Sequence, residues 1–343
     1  MSNFDDGTVT PVNTVTRRAG KPIALPLPGQ HDGAGDVAVT PNGKKAYVVN
    51  GGDEAQSVTP ITTAANKAGR AIPASVYQLG PVIAISADSK TAYVLGAEVT
   101  VISTATNKAR RTITFPHQGN GIGLYLTADG KTLYALSEHT LTPISTATGK
   151  PGKGTALPFA AFGMAVTPNG RTVYVSNWAG GTVIPIRTAT GAAGRPIKVG
   201  KLPYQIVITP NGMTAYVLNI GSNSVTPIKT RTNKPQKAVK VPVTFGAGHM
   251  LALTPNGKTL LVLGVRTVTA ISTAHNHARK PIKIRTPADI AITRDGKTAW
   301  VITPGNNAIV PVNITRDRAG KPVTVGGNPV AIALKSCPAT RPR

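Results

Sequence analysis

Residues 37–49 read Val-Ala-Val-Thr-Pro-Asn-Gly-Lys-Lys-Ala-Tyr-Val-Val, and the stretch returns as Ile83-Ala-Ile-Ser-Ala-Asp-Ser-Lys-Thr-Ala-Tyr-Val-Leu95. It comes back again from Leu124, Met164, Ile206, Leu251 and Ile290, with an Asn-Gly or Asp-Gly turn in each of these copies. The residues that open the turns are Thr40, Ser86, Thr127, Thr167, Thr209, Thr254 and Thr293, so the spacing stays between 39 and 46. An incomplete copy follows from Pro329 to Leu334. A period of this length marks a chain of stacked supersecondary units.

Each copy carries four strand signals. A short apolar run and the Asn-Gly turn make a hairpin into a second strand. A third strand follows, as in Ser224-Val-Thr-Pro-Ile228, and a fourth, as in Pro196-Ile-Lys-Val199. Val, Ile and Thr dominate, and no helical period occurs, so the expected fold is all-β: one closed β-propeller of four-stranded blades. Seven complete repeats run from about Gly35 to Gly326. The amino terminus, Ser2-Asn-Phe-Asp-Asp-Gly-Thr-Val-Thr-Pro-Val12, matches Ser176-Asn-Trp-Ala-Gly-Gly-Thr-Val-Ile-Pro-Ile186 at the end of a second strand and in a third. The chain is therefore expected to be a single domain over 1–343, with 1–26 and 327–343 joining as an eighth blade. Such a blade removes the free sheet edge. A ring of seven blades with a loosely packed remainder is the alternative.

The repeat Thr-Pro-Asn-Gly-Lys-Thr-Ala-Tyr-Val-x-Asn resembles the YVTN repeat of bacterial and archaeal WD40-like propellers, over nearly the whole chain. That resemblance implies the propeller fold. The wider group includes surface-layer and interaction modules, and related propellers include lactonases and a streptogramin lyase. No catalytic signature of those enzymes matches residue by residue.

Composition narrows the function classes. A single cysteine, Cys337, rules out an intrachain disulfide. No apolar run suits a membrane helix and no signal-peptide layout opens the chain. The expectation is a cytoplasmic protein as the sequence stands, or a secreted one if a leader precedes it, and a monomer. The net charge is +25. Most Lys and Arg fall on turns between strands one and two, on loops between strands three and four, and on the outer strand. These define the bottom rim, where a polyanion contact is conceivable. Aromatic residues that would stack on bases do not interleave there, so nucleic acid is not the expected partner. Nine of the 13 acids fall on the opposite, top face: Asp5, Asp6, Asp32, Asp36, Asp53, Glu54, Glu98, Glu138 and Asp289.

Where packing is explained by a common pattern, departures from that pattern carry the information. All five Phe fall in top-face loops: Phe4, Phe115, Phe159, Phe162 and Phe245. Trp178, Tyr204, His31, His117, His139 and His249 join them. The position four before each turn should look down the channel mouth, and it holds Asp36, Val82, Gly123, Gly163, Gln205, Met250, Asp289 and Ala331. An aromatic, concave, partly acidic funnel has the character of a small-molecule site. For any single Phe or His the competing reading is a channel plug or a hydrogen-bonding loop residue.

The expected catalytic set is His31, His117, His249, Asp36 and Asp289, because an imidazole beside a carboxylate makes a general base. The expected substrate-binding set is Phe115, Phe159, Phe162, Trp178, Tyr204, Gln205, Phe245 and Met250. Without a nucleophile motif, proton-transfer chemistry of lyase, cyclase or isomerase type fits better than hydrolysis. An amphipathic or cationic substrate suits aromatic faces flanked by carboxylates. No cofactor is expected, and no metal, since no ligand spacing supports one. A non-catalytic interaction or cell-surface propeller is the alternative, and fold alone does not choose between them.

Overall fold

A computed structural model describes residues 1–27, 33–51, 56–75, 83–116, 120–243 and 250–334. The chain forms eight four-stranded antiparallel blades. Their inner strands are Gly33–Val39, Ile83–Ile85, Gly121–Leu126, Ala161–Val166, Pro203–Ile208, Leu251–Leu253, Ile290–Ile292 and Pro329–Ala331. Blades are numbered here in that order. The eighth is closed by both ends of the chain: Ala331 pairs with Ser2, and Ser2 pairs with Val9. Its second strand is short, Ser2–Asn3, and its outer half is the separate ribbon of Val12–Asn13 with Arg18–Ala19. The eight-bladed reading of the sequence holds, and the seven-bladed alternative does not.

The turn that set the period has a local cause. Thr40 Oγ1 donates to Asn42 Oδ1 (2.7 Å), and Asn42 Oδ1 accepts the Lys44 N–H (2.9 Å). Gly43, at φ +68°, takes the left-handed conformation that this turn requires. Thr127/Asp129, Thr167/Asn169, Thr209/Asn211, Thr254/Asn256 and Thr293/Asp295 repeat the arrangement. In the Asp versions, the hydroxyl from Ser86, Thr127 or Thr293 and then a backbone N–H hold the carboxyl of Asp88, Asp129 or Asp295 below its ordinary range.

Between blades, the apolar faces of neighbouring sheets form shared cores. One joins Tyr216, Leu261, Val301 and their neighbours across three blades. The repeated tyrosine also carries a polar tie. Tyr47, Tyr174 and Tyr216 donate from their hydroxyls to Oδ1 of Asn107, Asn233 and Asn276, at 2.9, 2.6 and 2.7 Å. Each of these asparagines lies in the loop between strands three and four of the next blade, at φ near +50°. Asn tolerates that conformation better than most residues. Burial pushes the three tyrosine hydroxyls up to about 12.

Candidate functional site on the top face

Antiparallel order places the loops entering inner strands and the loops between strands two and three at the same end of each blade. At the junction of blades four and five these loops bring three aromatic rings together. Phe162 lies on the inner strand of blade four, and Trp178 follows its second strand, Thr172–Asn177. Tyr204 lies on the inner strand of blade five. Phe162 stacks on Trp178 with ring centroids 4.5 Å apart. Tyr204 meets both rings, at 6.2 and 6.1 Å, and is edge-on to Trp178. All three rings are half-buried, so part of each faces solvent. Burial also pushes the Tyr204 hydroxyl above its ordinary range.

The backbone brings them that close because position 163 is glycine. A Cβ there would lie 2.2 Å from the carbonyl oxygen of Tyr204. Ser176 Oγ, on the neighbouring strand, donates to the same carbonyl at 3.1 Å. Beside the rings in the chain, Ala179–Gly181, Lys198–Leu202 and Gly221 line an open cleft of about 530 Å³. Lys198 and Lys201 are its charged groups.

The structure puts the other expected site residues to different uses. Asp289 is 1% exposed; its Oδ1 accepts the Ile290 N–H (2.8 Å) and its Oδ2 the Ile332 N–H of blade eight (3.0 Å). Gln205 Oε1 accepts the N–H groups of Met250 and Leu251 in blade six, at 2.9 and 2.8 Å. Asp36 Oδ1 accepts the Val37 N–H at 2.8 Å. The three polar residues at the position four before the turn, Asp36, Gln205 and Asp289, therefore accept backbone amides, and the last two tie an inner strand to the next blade. Phe115 and Met250 are buried in inter-blade cores, at 5% and 1% exposure. Phe159 packs against the core shared by blades three and four. His31, His117, His249 and Phe245 lie outside the described residues, as do Asp32, Asp53 and Glu54.

The remaining top-face acids bind loops together. Asp6 accepts the Gly327 N–H (2.6 Å), Asp5 accepts from Asn328 Nδ2 (3.0 Å), and Glu138 accepts from Asn120 Nδ2 (3.0 Å). Glu98 accepts from the Thr114 hydroxyl. Arg279, by contrast, bonds to Ile314 and Asp317 in the loop between strands three and four of blade seven, at the other end of the ring. Among the described residues no three His, Cys, Asp or Glu side chains converge as metal ligands, and no helix is long and apolar enough to cross a membrane. The sequence reading did not find the Tyr–Asn ties or the lysine-flanked cleft. The ties were signalled by the Thr-x-x-Asn loops, and the cleft by the glycines at 180, 181, 200 and 221.

No family model and no curated protein matches the sequence. Solved structures do match. Dihydro-heme d1 dehydrogenase NirN, in complex with DHE, aligns with a TM-score of 0.75 and 15% identity, over 95% of this chain and 73% of that one. Hydrazine synthase of Kuenenia stuttgartiensis aligns with a TM-score of 0.64 and 18% identity, over 84% and 96%. Virginiamycin B lyase from Staphylococcus aureus aligns with a TM-score of 0.60 and 17% identity, over 74% and 87%. At such identities the likeness is one of fold, which unrelated activities share.

Proposed function

We propose that this protein is a small-molecule-binding propeller whose site is the aromatic cluster of Phe162, Trp178 and Tyr204 with the adjoining cleft. Its ligand is an amphipathic organic molecule with a planar face and an anionic group. The observation that carries this is the cluster itself: three large rings that break the repeat, drawn from two blades, each only half-buried. Ring faces offer offset stacking to a planar group. The cation preference inferred from top-face carboxylates gives way to an anion, because Asp36 and Asp289 accept backbone amides while Lys198 and Lys201 flank the cleft. The YVTN-type consensus quoted above supports grouping the chain with those propellers.

Calorimetric titration with a panel of planar organic anions tests the reading. Binding of at least one is expected, and Phe162→Ala and Trp178→Ala should each weaken it by about tenfold, the equivalent of 1.4 kcal/mol. Lys201→Gln should weaken the anion but not its uncharged analogue. No binding, or undiminished binding by Phe162→Ala, removes the cluster as the site.

The second reading is an acid–base enzyme of lyase type on the same face, with His31, His117 and His249 as the proton-transfer groups. The lyases among the proteins that share the fold support it. It requires conversion of a ligand found in the panel, and a loss of roughly 100-fold or more in at least one His→Ala variant. Binding without conversion leaves a binding module.

A further inference from the structure

We propose that the seam between blades seven and eight, on the bottom rim, is a binding site for a linear anionic polysaccharide. This goes beyond the top-face reading and lies at the opposite end of the ring. A cleft of about 960 Å³ opens there. Its charged groups are Arg17 from the closing blade and Arg316, Arg318 and Lys321 from blade seven. No acid lines it.

Both halves of the inter-blade tie are replaced at this seam, as they are between blades six and seven, where Leu261 stands for the tyrosine and Asp317, at φ +48°, for the asparagine. Trp300 stands where the repeat has tyrosine, and Arg17, at φ +56°, stands where the loop has asparagine. Trp300 Nε1 is buried without an acceptor. Released from the tie, Arg17 extends along the seam, and a Cβ on Gly320 would lie 3.4 Å from its Nη1. Cations from the two blades therefore meet over one cleft.

At three other seams, cations are already bonded to protein. Lys45 donates to the Thr104 carbonyl and to Asn107 Oδ1. Arg111 donates to the carbonyls of Thr148 and Thr146, at 2.8 and 3.2 Å. Arg279 donates to the Ile314 carbonyl (3.2 Å) and pairs with Asp317, also at 3.2 Å. That last pair turns the one acid of the Arg316–Arg318 hairpin toward blade six. Among the described residues, the side chains of Arg17, Arg316, Arg318 and Lys321 have no protein acceptor, and all four are exposed.

The lining selects the partner. Guanidinium forks match sulfate and carboxylate groups in two-point contacts. Among the described residues no aromatic ring lines the cleft to stack on a base, which nucleic-acid grooves supply. Nor does the cleft offer a large apolar or aromatic anchor of the kind that holds a protein partner. A saccharide chain with an anionic group on successive sugars meets what remains.

Calorimetric titration with a heparin-derived hexasaccharide, at near-physiological salt, tests the site. Two fourfold variants with the same net charge are compared. One carries R17Q, R316Q, R318Q and K321Q at the seam; the other carries K67Q, K108Q, K150Q and K234Q on the outer strands, or the loops leading into them, of four other blades. Both should melt like the parent. The seam variant should lose about tenfold or more in affinity, and the control less than about threefold, since charges more than a Debye length from the site are screened. Equal losses would show a diffuse field without a site. Tighter binding of a single-stranded oligonucleotide of equal charge would overturn the polysaccharide assignment. So would inorganic phosphate displacing the hexasaccharide at equal concentration, because a chain of linked anionic groups would then gain nothing over a single anion. If the seam variant melts early, R17Q/R316Q replaces it against K67Q/K108Q.

Discussion

Replacing Asp289 by alanine separates a catalytic carboxylate from a structural one. The inner strand of the closing blade, Pro329–Ala331, is paired on one side to Ser2–Asn3. On its other side Asp289 ties it to blade seven through Ile332. Asp289→Ala strips the acceptor from two amides, Ile290 N–H in the interior and Ile332 N–H in a half-buried position. A buried donor left unsatisfied costs about 1–3 kcal/mol, so the pair amounts to about 3 kcal/mol. At roughly 2.1 cal/mol/K per residue, 343 residues unfold with an entropy of about 0.7 kcal/mol/K, and the melting point should drop by about 4 °C. Local exchange should change more: amides of residues 329–334 should exchange roughly 100-fold faster if the strand opens independently of the ring. Calorimetry and hydrogen-exchange mass spectrometry read both. Asp289→Asn, which keeps one acceptor oxygen, should lose about half as much. A melting point within about 1 °C of the parent, with unchanged exchange at 329–334, would refute the tie; loss of a top-face activity in that same variant would restore the catalytic reading.

Three further outcomes follow from the same contacts. Gly163→Ala should push the Tyr204 backbone away, lower the melting point, and shift Trp178 fluorescence as the stack opens; an unchanged spectrum would mean the cluster does not depend on that approach. Gln205→Leu leaves the Met250 and Leu251 amides without their acceptor and should cost about 2–4 kcal/mol, read as a lower denaturant midpoint, with Gln205→Glu retaining most of the parent stability. The third outcome concerns alkali: burial raises the hydroxyls of Tyr47, Tyr125, Tyr174 and Tyr216 to about 12. Their folded values lie above the unfolded value near 10, so this stabilisation is complete below pH 10. It is lost as pH rises through 12, at about 1.4 kcal/mol per pH unit for each group in that window. The triple Tyr→Phe variant at 47, 174 and 216 should flatten the fall; phenolate absorbance titrating near 10 in the folded protein would contradict the burial.

By itself the sequence determined the period, the strand content and the closure of the ring. These depend on local chemistry: the Thr-x-Asn-Gly turn needs residues within four positions of one another, and a propeller repeats it until the pattern is unmistakable. It also isolated Phe162, Trp178 and Tyr204, because a ring that breaks a repeat is visible in any copy. Tertiary structure alone decided what the other departures do. Asp289 and Gln205 look like site residues in sequence, yet their acceptors face amides 43 and 45–46 residues away. A carboxylate that orients a base and one that ties two strands are the same residue until the neighbouring blade is in place. The same holds for charge. Arg17, Arg111 and Arg279 are equivalent cations in the chain, and only the packing of successive blades gives two of them acceptors and leaves the third over a cleft. Hydrogen bonding across a seam depends on the register between two sheets, and one blade's sequence does not encode the neighbour's position.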